Sequence, residues 1–348
     1  MKNLAFSLVL LGLALTGCAG DDFNDVKASD TVVTGLNQPA GWPAPQYDFG
    51  SNKITADGFK LGRKLFYEPM LSRDNTISCG SCHQQFAAFA HSEHKLSHGI
   101  DGLFGTRNAP GLFNLAWHPS FMWDGGINHI EVQPFAPITN PVEMDETLPM
   151  VLEKLRASSE YVDLFDKAFG TPEIDSQRMF YAMVQFMGSM VSATSKYDWV
   201  MRGELPGGFS EAEFNGLRLF RQHCTSCHSE PLFSDFSFRN NGLPVSPLLQ
   251  DSGRAHITGA PEDRYKFKVP SLRNVAVTAP YMHDGRFVTL RQVIEHYRSG
   301  IAQTENLDPQ FADGGIPLND AQVAEIEAFL LTLTDYEFMQ MRAFAEPQ

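Results

Sequence analysis

The chain has 348 residues, a formal net charge of −14 and 11% aromatic residues, including 27 Phe. That length suffices for two domains and a sizeable core. The acidic balance argues against nucleic acid and anionic membrane surfaces as partners, and it suits a soluble exported protein that meets a basic patch on another protein.

The opening MKNLAFSLVLLGLALTGC has a positive residue, an apolar run too short for an ordinary spanning helix, and small residues before a cysteine. It reads as an export signal over residues 1–17. Its end, Leu15-Thr16-Gly17-Cys18, resembles the lipobox of bacterial lipoproteins, which would make Cys18 the lipid-modified first residue of the mature chain. An ordinary cleaved signal that ends near a cysteine is the competing reading. No later stretch is apolar enough to cross a bilayer, so the membrane is reached only through that lipid, in the periplasm or cell envelope. Residues 18–53 are polar and punctuated by Pro and Gly, and read as a tether and N-terminal extension.

Next comes CGSCH at 79–83, and the same device returns as CTSCH at 224–228. Two cysteines separated by two residues and followed by histidine are the attachment pattern of a c-type haem. Both thiols add to the porphyrin, and the adjacent His83 or His228 ligates iron from below. Of five cysteines, Cys79, Cys82, Cys224 and Cys227 are absorbed this way and Cys18 by the lipid. A disulfide framework would leave an odd thiol, and a four-thiolate zinc site would leave both histidines without a role.

Helical signals dominate what lies between and beyond. Segments 175–202 and 319–334 carry long helical apolar patterns; Ser210 with Glu213, and Thr289 with Gln292, have capping-box spacing, the second helix stopping at Gly300. GELPGG at 203–208 marks a boundary between a first domain, 54–205, and a second, 206–348. Each haem motif follows a Gly-x-x-Leu-Phe fragment, Gly62 to Phe66 and Gly216 to Phe220. Downstream, residues 109–126 echo residues 269–286 at a constant offset of 160, pairing Pro110 with Pro270, Asn114 with Asn274 and Met122 with Met282. The chain therefore reads as a mostly α, duplicated haem domain.

The ordered run LSHGIDGLFGTRNAPGLFN, MWDGG, QPFAPITNPVEM and VPSLRNVAVTAPYMHDGRF, with both haem motifs in place, resembles the bacterial dihaem cytochrome c peroxidase and MauG superfamily over residues 54–300. That resemblance implies two class-I cytochrome-c-like domains with one covalent c-type haem each, a calcium ion between them, and hydrogen peroxide as oxidant. It makes the first haem the peroxide site, with Glu143 as distal acid/base and Gln133 as the neighbouring amide. Breaking the O–O bond requires a proton taken from one oxygen and given to the other, which a carboxylate near iron can do. Outside the family context, Glu143 would read as a surface carboxylate in a Pro-rich loop. His98 matches the histidine that closes the first haem until the second is reduced. Trp123 takes the place of the tryptophan between the haems, with Trp117 as a competitor in sequence, and Asn108, Thr278 and Pro280 match the calcium ligands.

One departure matters. Where the peroxidases place a methionine as far ligand of the second haem, this chain has Tyr297, as MauG-type enzymes do. A phenolate is a harder, anionic ligand that lowers the potential relative to methionine. Tyr297 also lies at helical spacing with Leu290, Val293 and Ile294, so it faces the core with or without iron. Met282 remains a competing ligand, and a second haem with neither is the third option. The expected activity is reduction of peroxide to water with electrons from a small redox protein, a cytochrome c or cupredoxin. The alternatives are a MauG-like oxidase that modifies side chains of a partner protein, and a dihaem electron carrier without catalysis. A homodimer is compatible with each.

Overall fold

Helix caps written into the sequence set where the long elements begin. In the computed structural model, which describes residues 32–348, Ser210 and Thr289 cap their helices in full capping boxes with Glu213 and Gln292, and Asn319 does the same with Gln322. The export signal and Cys18 lie outside the described residues. The main helices are α1 (Ala56–Phe66), α2 (Leu148–Ala157), α3 (Ser159–Phe169), α4 (Ser176–Met187), α5 (Lys196–Met201), α6 (Glu211–His223), α7 (Leu290–Ser299), α8 (Asp320–Leu331) and α9 (Tyr336–Gln340). Strands β1 (Phe238–Arg239) and β2 (Phe267–Lys268) pair antiparallel, Phe238 opposite Lys268. Among the described residues no helix is long and apolar enough to cross a membrane.

The two Gly-x-x-Leu-Phe fragments do the same job twice. A Cβ at Gly62 would lie 1.9 Å from the Ala182 carbonyl oxygen, and one at Gly216 would lie 1.9 Å from that of Glu325. Bare backbone at these points lets α1 cross α4, and α6 cross α8, at close range. Phe186 and Phe329, each one turn further on, pack against the same glycines. Around the first crossing a core forms from Phe59, Phe66, Phe89, Phe165 and Phe186; around the second, from Phe220, Phe233, Ile294, Ile326 and Phe329.

The helical pattern over 175–202 does not run as one helix. It breaks between α4 and α5, because the backbone there serves a buried asparagine: Asn114 donates its N–H to the Met190 carbonyl and accepts from the Ser192 N–H through Oδ1. Asn274, 160 positions on, repeats the arrangement with the Leu333 carbonyl and the Asp335 N–H. Both asparagines adopt left-handed backbone, φ 57° and 58°, a region that Asn tolerates better than most residues. The two knots are tied to each other, since Asn274 Nδ2 donates to Ser192 Oγ and Ser192 Oγ donates to Asp335.

Two further features join the halves. From Val32 onward, the stretch read as tether and extension is docked: Pro43 accepts from the Trp117 indole, Trp42 packs edge-on against Trp117, and Arg273 lies over the Trp42 ring. At the other end, Phe338 and Phe344 leave the second half and enter the first core. Tyr197 of α5 already belongs to the second core, ahead of the 203–208 break.

Candidate functional site

Each CxxCH motif puts its histidine at the end of a short turn, and the backbone then orients the ring. His83 and His228 are both shifted below the usual histidine range by burial, so the rings are neutral. The Nδ1 of His83 lies 2.7 Å from the Phe89 carbonyl and that of His228 lies 3.1 Å from the Phe233 carbonyl. A carbonyl only accepts, so Nδ1 carries the proton in each ring and Nε2 keeps its lone pair for a metal. Phe89 and Phe233 present these carbonyls from left-handed backbone, φ 60° and 54°. The four motif cysteines form no disulfide, and burial raises the Cys79 and Cys224 thiols to about 12.

Both histidines line one continuous cavity of about 1100 Å³. Its size is at the upper end of, or beyond, what a single small-molecule pocket has. Free thiols, two neutral rings with bare Nε2 and an apolar cavity between them fit two covalent haems.

On the His83 side the cavity is lined by Gln133 and Glu143. Burial raises the Glu143 carboxyl above its ordinary value, against the pull of hydrogen bonds from Ser97 and Asn140. Ser97 Oγ donates to Glu143 Oε1 at 3.2 Å. The backbone behind it is pinned: Ile100 N–H donates to the Glu143 carbonyl at 2.8 Å, and a Cβ at Gly99 would sit 2.0 Å from that oxygen. The cavity lining thus holds a carboxyl with a raised pKa, a hydroxyl that orients it and the Gln133 amide, which are the parts of an acid/base station.

His98 is not among the lining residues. Its backbone bridges Phe104, and its ring lies with those of His91 and His94, 4.9 and 4.7 Å away by centroid. Nothing from that ring meets the first-haem cavity in this structure.

On the His228 side, Tyr297 and Met282 both line the cavity. One amide addresses them together: Asn241 Nδ2 is 3.1 Å from the Tyr297 hydroxyl and 3.8 Å from the Met282 sulfur. Burial pushes the Tyr297 phenol up to about 12, with Asn241 opposing. A phenol in that state becomes an anion only if a cation such as ferric iron binds it.

The Trp123 indole donates to the Asn108 carbonyl at 2.8 Å, and its own carbonyl accepts from Lys268 N–H at 2.7 Å. It lines the cavity, whereas Trp117 is buried away from it. Asn108, Thr278 and Pro280 line the same cavity, and Asn108 spends its amide protons on the His94 and Lys95 carbonyls.

Sequence reasoning did not single out Ser97, Asn241 or Lys268. Half-buried Lys268, lowered to about 8 by desolvation, hydrogen-bonds the Ser120 carbonyl. Arg107 and Arg239 line the same cavity, each paired with two carboxylates, Asp124 and Asp251 for the first and Asp235 and Asp308 for the second. Lys268 lies next to the echoed segment 269–286, whereas Ser97 and Asn241 stand apart from every echoed motif.

A family described as di-haem cytochrome c peroxidase matches residues 56–205. The methylamine utilization protein MauG of Methylorubrum extorquens is 32% identical over 343 residues, covering 95% of this chain and 94% of the relative. The cytochrome c551 peroxidase of Nitrosomonas europaea is 34% identical over 282 residues, 80% of each chain. Among solved structures, one described as a MauG-like protein associated with microbial copper homeostasis superposes with a TM-score of 0.82 at 31% identity, over 90% of this chain and 99% of that one.

Proposed function

Because the chain belongs to the di-haem cytochrome c peroxidase family, we propose that it reduces hydrogen peroxide to water at the His83 side of the cavity, drawing electrons from a small redox protein through the His228 side. The observation that carries this reading is the raised Glu143 carboxyl, held by Ser97 in the lining of the cavity that Gln133 and His83 also line. Two haems, one in each half of a duplicated fold of class-I cytochrome type, would supply the iron chemistry of O–O cleavage and the electrons for it.

The residues do the rest. Ionised Glu143 would take a proton from one peroxide oxygen and deliver it to the other, which leaves as water, and the retained oxygen would leave as a second water after two electrons from the redox donor and two protons from solvent. Gln133 orients peroxide without competing for the proton. Trp123, fastened to Asn108 and Lys268 across the junction, offers an aromatic bridge between the two sides. The resting protein in this reading needs no release of His98, because that ring lies outside the cavity.

A second reading draws on Tyr297. A tyrosine beside the His228 side favours the more oxidised iron states, and suits a MauG-like oxidase that withdraws electrons from side chains of a partner protein. The calcium ion expected from the family would be held by Asn108 Oδ1, Thr278 and the Pro280 carbonyl; hard oxygen donors from both halves suit it. Treatment with a calcium chelator is expected to lower turnover, and added calcium to restore it. Export with a lipid on Cys18 completes the proposal, tested by whether Cys18→Ala moves the protein from the membrane to the soluble fraction.

Steady-state oxidation of reduced cytochrome c or cupredoxin by peroxide tests the main reading. Turnover supports it, and no turnover with any donor, even after pre-reduction, sinks it. Peroxide-dependent mass changes on a partner protein, without donor turnover, would select the second reading.

A further inference from the structure

The loop that follows the first haem motif gathers three histidines at the edge of the site. The ring nitrogens offered by His91, His94 and His98 all lie within 4.8 Å of one another, and the rings are 4.1, 4.9 and 4.7 Å apart by centroid. Among the described residues this is the one such group of histidine, cysteine or acidic side chains.

Two details separate it from a chance surface cluster. His91 is 2% exposed, and its Nδ1 has no hydrogen-bond partner. A buried polar nitrogen without a partner is costly, and a ligand removes the cost. His94 has its Nδ1 2.9 Å from the Ser92 carbonyl, which fixes the proton on Nδ1 and leaves Nε2 as the ligating atom, the arrangement seen around bound metals. The three rings therefore combine an orphaned buried nitrogen, an oriented exposed ring and a half-buried third.

We propose that His91, His94 and His98 form a binding site for one divalent transition-metal ion of the imidazole-preferring class, zinc or copper. Three imidazole ligands leave a fourth position for water in the tetrahedral arrangement that zinc accepts. The set contains no oxygen ligand of the kind that calcium or magnesium requires. At bond lengths of about 2.0–2.1 Å, ligand atoms around a tetrahedral ion stand about 3.3 Å apart, so small ring rotations close the site. Copper(II) would bind more tightly than zinc in the same set. An ion held there also holds the His98 ring outside the haem cavity, where the structure has it. The inference stands on these three side chains and does not depend on peroxide turnover.

Equilibrium dialysis of the haem-loaded protein against zinc sulfate, with zinc and iron counted by mass spectrometry, tests it. One zinc for every two irons is expected, with affinity roughly tenfold or more weaker in His94→Ala, an exposed position. His91→Gln, which keeps a polar group of similar reach in the buried position, is expected to show the same loss with iron content unchanged. A copper(II) titration followed by electron paramagnetic resonance is expected to show nitrogen-ligated copper that His94→Ala loses. Zinc uptake equal in wild type and both variants, or none in the wild type with no copper signal, would overturn the proposal.

Discussion

Glu143 is a carboxyl whose usefulness depends on what burial does to it. Its pKa is raised by desolvation and only partly restored by Ser97 and Asn140. A general base must be ionised, so peroxide turnover should fall as pH drops through a value above the ordinary carboxylate range of about 4.3. Glu143→Gln, which keeps the shape and removes the proton exchange, is expected to lower turnover by about 10²–10⁴ with haem content unchanged. A pH–rate profile of wild type beside that variant checks both statements. At this scale much was legible in the sequence. The CxxCH motifs point to Cys79, Cys82, His83, Cys224, Cys227 and His228 through covalent spacing alone, and the family register adds Glu143, Gln133, Trp123 and Tyr297, which the cavity brings together. Ser97 and Asn241 were not legible, since a hydroxyl and an amide acquire meaning only from the group each meets. The ring of His98 likewise could not be placed from its neighbours in sequence, because three histidines within eight residues offer equivalent chemistry.

The element scale is governed by two glycine crossings. Replacing Gly216 with Ala should gain about 1 kcal/mol of helix propensity. It also drives a Cβ against the Glu325 carbonyl oxygen and Phe329. Backbone on the other side cannot step aside as a flexible side chain would, and overpacking of this kind costs about 1–3 kcal/mol. Gly216→Ala is therefore expected to lower the melting temperature of the haem-loaded protein, and Gly62→Ala to do the same through Ala182. Equal or higher stability in both variants would show that the helix pairs can separate freely. The capping boxes at Ser210 and Thr289 were readable as local chemistry, and so was the repeat. The break between α4 and α5 was not. The weak helix formers Gly188, Ser189, Val191, Ser192 and Thr194 permit a break there, but what fixes it is Asn114, which is distant in sequence and buried in the fold.

Over the whole molecule, the two cores are joined by buried polar chemistry and by exchanged termini. Asp335 accepts from Ser192, Thr194 and Phe338, so the turn that leads into α9 is fastened to the segment between α4 and α5. Beyond it, Phe338 and Phe344 fill the first core, Tyr67 donates to the Phe344 carbonyl, and Gln85 to that of Met341. Burying two phenylalanines stabilises by about 3–6 kcal/mol, a large part of a typical total of about 5–15. Removal of residues 336–348 should therefore destabilise the first half, although the segment belongs in sequence to the second. Thermal unfolding followed at the haem bands would show this as a markedly lower midpoint. Composition and spacing alone read residues 203–208 as the point of division, because chain reversal at a terminus leaves no periodic trace.

We propose a first-haem side that is open, with Glu143 and Gln133 lining the cavity and His98 outside its lining, and a second side that Tyr297 closes. Electron paramagnetic resonance of the ferric, haem-loaded protein beside Tyr297→Met reads both sides at once. A high-spin five-coordinate haem next to a low-spin haem, with only the latter altered by the substitution, is the expected result. Two low-spin haems, one of which becomes high-spin only on half-reduction, would contradict it and return His98 to the iron.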